Sequence, residues 1–227
     1  MTQFELETLN TRTRLALAEM ESVQVISPYV DWNRTLPKPF HGSGDIRLVI
    51  IGQDPTVRLK SSRNQVNMVL DLDKKNSNLY RFLNKVCEEL GLSLNEHVYA
   101  TNAYKNFFTQ PPASIKQVNV LEFSAPVWLP VLQYELNSFP QAAVMSLGQP
   151  VLSMLVKSGH KQDRSVCYYW GHPSFPGAEQ FKSVSAEDST VNRRIFPLVH
   201  LNTRNTSRFY RANETNYINY MKGFLKG

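Results

Sequence analysis

Four short apolar runs punctuate the chain: Ile46-Arg47-Leu48-Val49-Ile50-Ile51, Val98-Tyr99-Ala100-Thr101, Ala142-Ala143-Val144-Met145-Ser146-Leu147 and Ile195-Phe196-Pro197-Leu198-Val199. Each is too short for an ordinary helix. The first and third stop at Gly52 and Gly148, so all four read as buried strands, these two entering tight loops. Between the first two runs, Leu79, Phe82, Leu83, Val86 and Leu90 recur at helical spacing, with Asn76 or Ser77 as N-cap and Gly91 as the stop. A further helix is expected after Ser124, where Pro126 and Pro130 obscure its start. Another is expected from about Glu214 to Leu225, with Tyr217, Ile218, Met221, Phe224 and Leu225 on one side. An opening helix (Phe4 to Met20) and a Pro-rich arm (Pro28, Pro37, Pro39) precede the first strand.

Strands alternating with helices predict a parallel sheet covered on both faces, with right-handed crossovers. The expected fold class is α/β: a three-layer αβα sandwich around a central four-stranded, mainly parallel sheet. Residues 1–227 are expected to form one domain, with residues 1–45 packed on it as a helix and an arm. A length of 227 residues, 42% apolar and 19% charged, suffices for one such core. No apolar run approaches the ~20 residues that span a bilayer, and Met1 to Leu9 lack the basic-then-apolar pattern of a secretory signal. The expectation is a soluble, cytoplasmic monomer without membrane contact. Cys87 and Cys167 are too few for a Cys-rich metal site and are expected to be reduced structural thiols.

Charge changes the picture. From Thr190 onward, Arg193, Arg194, Arg204, Arg208, Arg211, Lys222 and Lys226 face a single acid, Glu214, so this last sixth carries the whole formal excess of +6. Phe209 and Tyr210 lie among these cations, and Arg58, Lys60 and Arg63 form a smaller cluster after the first strand. A surface that meets phosphates is expected, with Arg58, Arg63, Arg204, Asn205, Arg208 and Arg211 as its candidate nucleic-acid contacts and the aromatics among them able to stack or wedge against bases.

In open α/β sheets the functional residues gather in loops at the carboxyl ends of the strands. That rule selects Gly52-Gln53-Asp54-Pro55, Thr101-Asn102-Ala103-Tyr104, Gly148-Gln149 and the segment from His200 to Asn205. One carboxylate, one primary amide and one imidazole would converge there: Asp54 to orient water or stabilise a cation, Asn102 to read a donor–acceptor edge, His200 to stabilise a developing anion. Each also has a plainer reading: Asp54 as a turn former, Asn102 as an Asx-turn, His200 as a satisfied core histidine.

The run Leu48-Val49-Ile50-Ile51-Gly52-Gln53-Asp54-Pro55 resembles the first motif of the uracil-DNA glycosylase superfamily. Ser77-Asn78-Leu79-Tyr80 leading into Val86-Cys87-Glu88-Glu89-Leu90-Gly91, the segment Tyr99 to Lys105, and Ser146-Leu147-Gly148 are similar to later parts of that superfamily in the same order. The resemblance covers roughly residues 45–225 and implies excision of uracil or a related deaminated base from DNA, after base flipping, with no cofactor and no metal. It implies Asp54 and His200 as catalytic residues, and Gly52, Gln53, Asn102 and Phe107 as substrate-binding ones. Asn102 would pair with the uracil edge, and His200 would donate to O2 of the departing base. Thr56 stands where the most familiar branch has Tyr. The motif His-Pro-Ser that commonly ends the superfamily pattern occurs literally at His172-Pro173-Ser174, so His172 and Ser174 are the alternative to His200. Two other functions are compatible with the sequence: a non-catalytic nucleic-acid-binding relative that keeps the fold, and a small-molecule hydrolase on the same scaffold.

Overall fold

The structure is a computed structural model that describes residues 2–57, 59–157, 159, 162–175 and 180–225. It is a mixed α/β fold around a five-stranded, mostly parallel sheet. The strands are β1 (Phe40–His41), β2 (Leu48–Gly52), β3 (Val98–Asn102), β4 (Ala143–Leu147) and β5 (Ile195–Leu198), in the order β1-β3-β2-β4-β5. The four expected strands are present, each bounded within two residues of its sequence pattern. Strands β2 and β3 are buried along their whole length, as continuous apolar runs in a covered parallel sheet require.

The expected four-strand count is corrected to five. β1 is a two-residue edge strand, antiparallel to β3 through Phe40 opposite Ala100 and His41 opposite Tyr99. It lies in the Pro-rich arm and is too short to show an alternating pattern, so nothing in the local sequence marks it.

Eight helices accompany the sheet among the described residues: α1 (Gln3–Ser22), α2 (Asn78–Leu90), α3 (Leu94–His97), α4 (Val120–Asn137), α5 (Gln149–Leu155), α6 (Val166–Tyr169), α7 (Leu201–Thr206) and α8 (Arg208–Lys222). Helix α2 has both expected stops. The Ser77 hydroxyl accepts from the Tyr80 amide at 3.0 Å, and Gly91 closes the helix in the left-handed region at φ 76°. Helix α4 begins four residues earlier than Ser124, capped by Asn119. Pro126 and Pro130 sit inside it on an exposed stripe, where water can satisfy the carbonyls they leave unbonded. The terminal helix starts six residues earlier than expected, because Ser207 closes α7 and caps α8 through the Tyr210 amide. Helix α1 packs on α4, and α2 on α8. No described helix is long and apolar enough to cross a membrane. Cys87 is buried, its thiol pushed up to about 12 by desolvation, and Cys167 is half-buried with Sγ 2.7 Å from the Tyr210 hydroxyl; both are free.

One buried charge ties the sheet to α4. Glu135 is fully buried and accepts from the Tyr99 hydroxyl at 2.6 Å and the Thr101 hydroxyl at 2.7 Å, while Lys105 donates to its other oxygen. Tyr99 and Thr101 therefore face α4. Removing one member of a buried pair leaves the other uncompensated. Glu135→Leu is expected to lower stability by about 3 kcal/mol in urea unfolding, and adding Lys105→Met to recover most of that loss.

Candidate active site

β3 lies on one side of β2 and β4 on the other, so the chain reverses its direction of winding across the sheet between β2 and β4. A crevice opens at such a reversal, outside the carboxyl ends of the strands. A cavity of about 690 Å³ occupies this place, lined among others by Gln53, Asp54, Thr56, Leu70, Leu79 and Gly148 and by His200, Thr203 and Tyr210.

Asp54 sits just beyond β2 in an Asx-turn: its Oδ1 accepts from the Thr56 amide at 2.8 Å, and its Oδ2 from the Gln53 side-chain amide at 2.8 Å. The turn-forming and the functional readings of Asp54 thus coexist. Desolvation pushes its carboxyl up to about 6, against the pull of the Thr56 hydrogen bonds, the Gln53 amide and the Arg63 charge. The Gln53 carbonyl is taken by the Tyr104 amide at 2.9 Å, which pins the loop after β2 to the loop after β3. Thr56 is held from the same side, its hydroxyl oxygen accepting from the Phe108 amide at 2.7 Å.

His200 follows β5 and caps α7, its Nδ1 accepting from the Asn202 amide at 3.3 Å. An acceptor at Nδ1 fixes the neutral tautomer with hydrogen on Nε2, and desolvation favours that neutral form by lowering the imidazole pKa. The Nε2 hydrogen has no partner among the described residues. Gly148, in contact with His200 across the cavity, turns the chain out of β4 at φ 89°, a backbone angle that favours glycine. His172 does not line this cavity. Its ring lies edge-on to Phe209 at 4.5 Å, and its Nδ1 is engaged by the amide and hydroxyl of Ser174.

Asn102 is not in the Asp54–His200 cavity. It is 2% exposed and lines a neighbouring cavity of about 640 Å³ with Leu9, Leu17, Lys105 and Glu135. Leu70 stands between: a β-carbon on Gly52 would lie 2.5 Å from Asn102 Oδ1 and 2.6 Å from Leu70 Cδ2, so only glycine permits this approach. Asn102 Oδ1 is buried without a partner among the described residues, an omission that costs about 1–3 kcal/mol. Leu70 and Asp71 both have left-handed backbones, φ 58° and 53°, at roughly 1–2 kcal/mol for an ordinary L-residue. Leu70 is the one site residue that sequence reasoning missed as an actor, since a leucine carries no signal for positive φ.

Other expected site residues are placed elsewhere. Phe107 is buried beneath the Arg34 guanidinium, 5.7 Å from its ring, and lines neither cavity. Arg63 is buried rather than on a DNA-facing surface, donating to the carbonyls of Val57, Phe108 and Thr109 at 2.9–3.1 Å. Arg204 is paired with the buried Glu214, and Phe209 and Tyr210 pack inward on His172 and Trp170, so neither aromatic projects as a wedge. Arg208, Arg211 and Asn205 are exposed, with Arg211 donating to the Asn205 carbonyl. Arg58 lies outside the described residues.

A scan of protein-family models finds no match to this chain, and a search of curated proteins finds none either.

Asp54 makes a testable pH signature. The folded protein holds its proton up to about 6, the unfolded chain only to about 3.8. Native stability therefore falls as pH rises through that window, and the deficit persists at neutral pH. Asp54→Asn is expected to raise stability at pH 7.5 by on the order of 2 kcal/mol while leaving it unchanged at pH 3, as urea unfolding at the two pH values will read.

Proposed function

We propose that the chain is a DNA glycosylase that hydrolyses the N-glycosidic bond of uracil or a related deaminated base. The observation that carries this reading is the shared cavity of Asp54 and His200 at the carboxyl ends of β2 and β5. The resemblance of residues 48–55 to the first uracil-DNA glycosylase motif supports it, as does the mostly parallel sheet, which we read further as the centre of a three-layer αβα sandwich in a single domain.

The chemistry follows from the two side chains. As the bond between C1′ and the base nitrogen breaks, its electron pair leaves with the base, and positive charge develops on the sugar. The Asp54 carboxylate stabilises that cation and takes a proton from the water that attacks C1′. The neutral His200 donates its Nε2 hydrogen to the base oxygen on which negative charge accumulates. The products are an abasic sugar and the base anion, which takes up through solvent the proton that Asp54 gives back, so that water is the only co-substrate. Arg208 and Arg211 are exposed cations of the C-terminal segment that can face phosphates, with an affinity that falls with salt.

One observation favours the second reading, a nucleic-acid-binding relative without catalysis: the amide expected to read the base is shut away behind Leu70. Excision decides between them. Single-turnover release of uracil from a labelled oligonucleotide is expected from the wild-type protein, rising with pH to a plateau above about 6 as Asp54 ionises. Asp54→Asn is expected to lower the rate by about 10²-fold or more, and His200→Ala by a similar factor. His172→Ala should leave it unchanged. No uracil release by the wild-type protein, under conditions where it binds the same oligonucleotide, selects the binding relative.

A further inference from the structure

Two unfavourable features meet at one point of the fold, beside a glycine. Leu70 holds a left-handed backbone, its side chain presses on the place that a β-carbon of Gly52 would take, and the Asn102 Oδ1 beside it is buried without a partner among the described residues. Strained backbone and an orphaned buried acceptor persist only where the surroundings hold them, and both are signs of a site rather than of packing. A change of backbone angles at Leu70 relieves the first, and by carrying the side chain away from Gly52 it opens Asn102 Oδ1 to a donor that would relieve the second.

We propose that Leu70 is a gate. In the free protein it closes a slot floored by Gly52 and Asn102; when it withdraws, the slot joins the Asp54–His200 cavity, which Leu70 already lines. The slot takes a flat group that presents an N–H to Asn102 Oδ1. The imide edge of a pyrimidine base is such a group, and in this respect the proposal rests on the glycosylase reading.

The floor is held in the sheet, and the gate lies between two anchored residues. Gly52 and Asn102 are register partners in the sheet, and the Gly52 carbonyl is held by the Ala103 amide at 2.8 Å. On the other side, Asp71 is tied forward to Lys74 through both its carboxylate and its carbonyl, at 2.8 and 2.9 Å. Behind, the Val69 amide is fixed to the Lys38 carbonyl at 2.9 Å. Leu70 falls between these anchors, so a change in the backbone angles there, at the expense of the 3.2 Å bond from the Asp71 amide to the Met68 carbonyl, moves its side chain and leaves the anchors in place. A closed gate lowers apparent affinity by the fraction of molecules that are open, which makes the side chain at position 70 a determinant of ligand affinity without its touching the reacting bond.

The test uses free uracil as the probe. Leu70→Gly removes both the side chain and the conformational penalty, and Leu70→Ala removes the side chain alone and carries the test if the glycine variant does not fold. Uracil is titrated into the wild-type protein and both variants by calorimetry, while the Asn102 side-chain amide is followed in ¹⁵N-labelled protein. The expected result is binding at least about tenfold tighter in the variants, with the Asn102 amide resonances shifting on saturation. Equal affinity in all three proteins, no uracil binding to any of them, or tighter binding with unmoved Asn102 resonances overturns the gate. Excision measured in parallel separates the two ideas. Tighter uracil binding by the variants with no excision by any of the three proteins keeps the gate and removes the glycosylase reading; excision by the wild type with unaltered uracil affinity in the variants does the reverse.

Discussion

The contact between β2 and β3 at Gly52 and Asn102 depends on a carbon atom that is absent. With any other residue at position 52, a β-carbon would overlap the ends of both the Asn102 and the Leu70 side chains, and both would have to turn away from the places they now share above the strand pair. The loop carrying Asp54 starts one residue beyond this point, and the Gln53 carbonyl is fixed to the neighbouring loop by Tyr104. The position of the carboxylate is thus inherited from the tightness of the strand pair beneath it.

Electrostatics within the site works by removal of water more than by pairing of charges. Desolvation raises the Asp54 carboxyl and lowers the His200 imidazole, so near neutral pH one is an anion held at a cost and the other a neutral donor. The carboxylate accepts two 2.8 Å hydrogen bonds from its own loop, which keep it ionisable despite burial. Such a site gives up stability to hold a charge away from water.

The strands and the α2 helix were legible because their signals are local: continuous β-branched runs, a serine cap and a closing glycine. The sheet's edge strand was not, since two residues carry no periodicity. Asp54 and His200 could be found by the rule of strand ends, whereas Leu70 could not, because its significance lies in a backbone angle that leucine rarely adopts. The basic segment was legible as composition but not as surface. Arg204 answers a buried glutamate, and Arg63, equally basic in sequence, is consumed by backbone carbonyls. Whether an arginine faces solvent depends on what the fold brings to it, and here the partners of Arg63 lie 45 and 46 residues away.

That arginine has a mechanical consequence. Its single side chain spans Val57 on one loop and Phe108 and Thr109 on another, with Asp31 of the N-terminal arm at 4.0 Å. Three stretches distant in the chain are thereby fastened at one planar group, and none can open to solvent without breaking bonds that belong to the others. The opening of these stretches to solvent is thereby coupled through one side chain, which adds to the backbone bridge that pairs Val30 with Phe108.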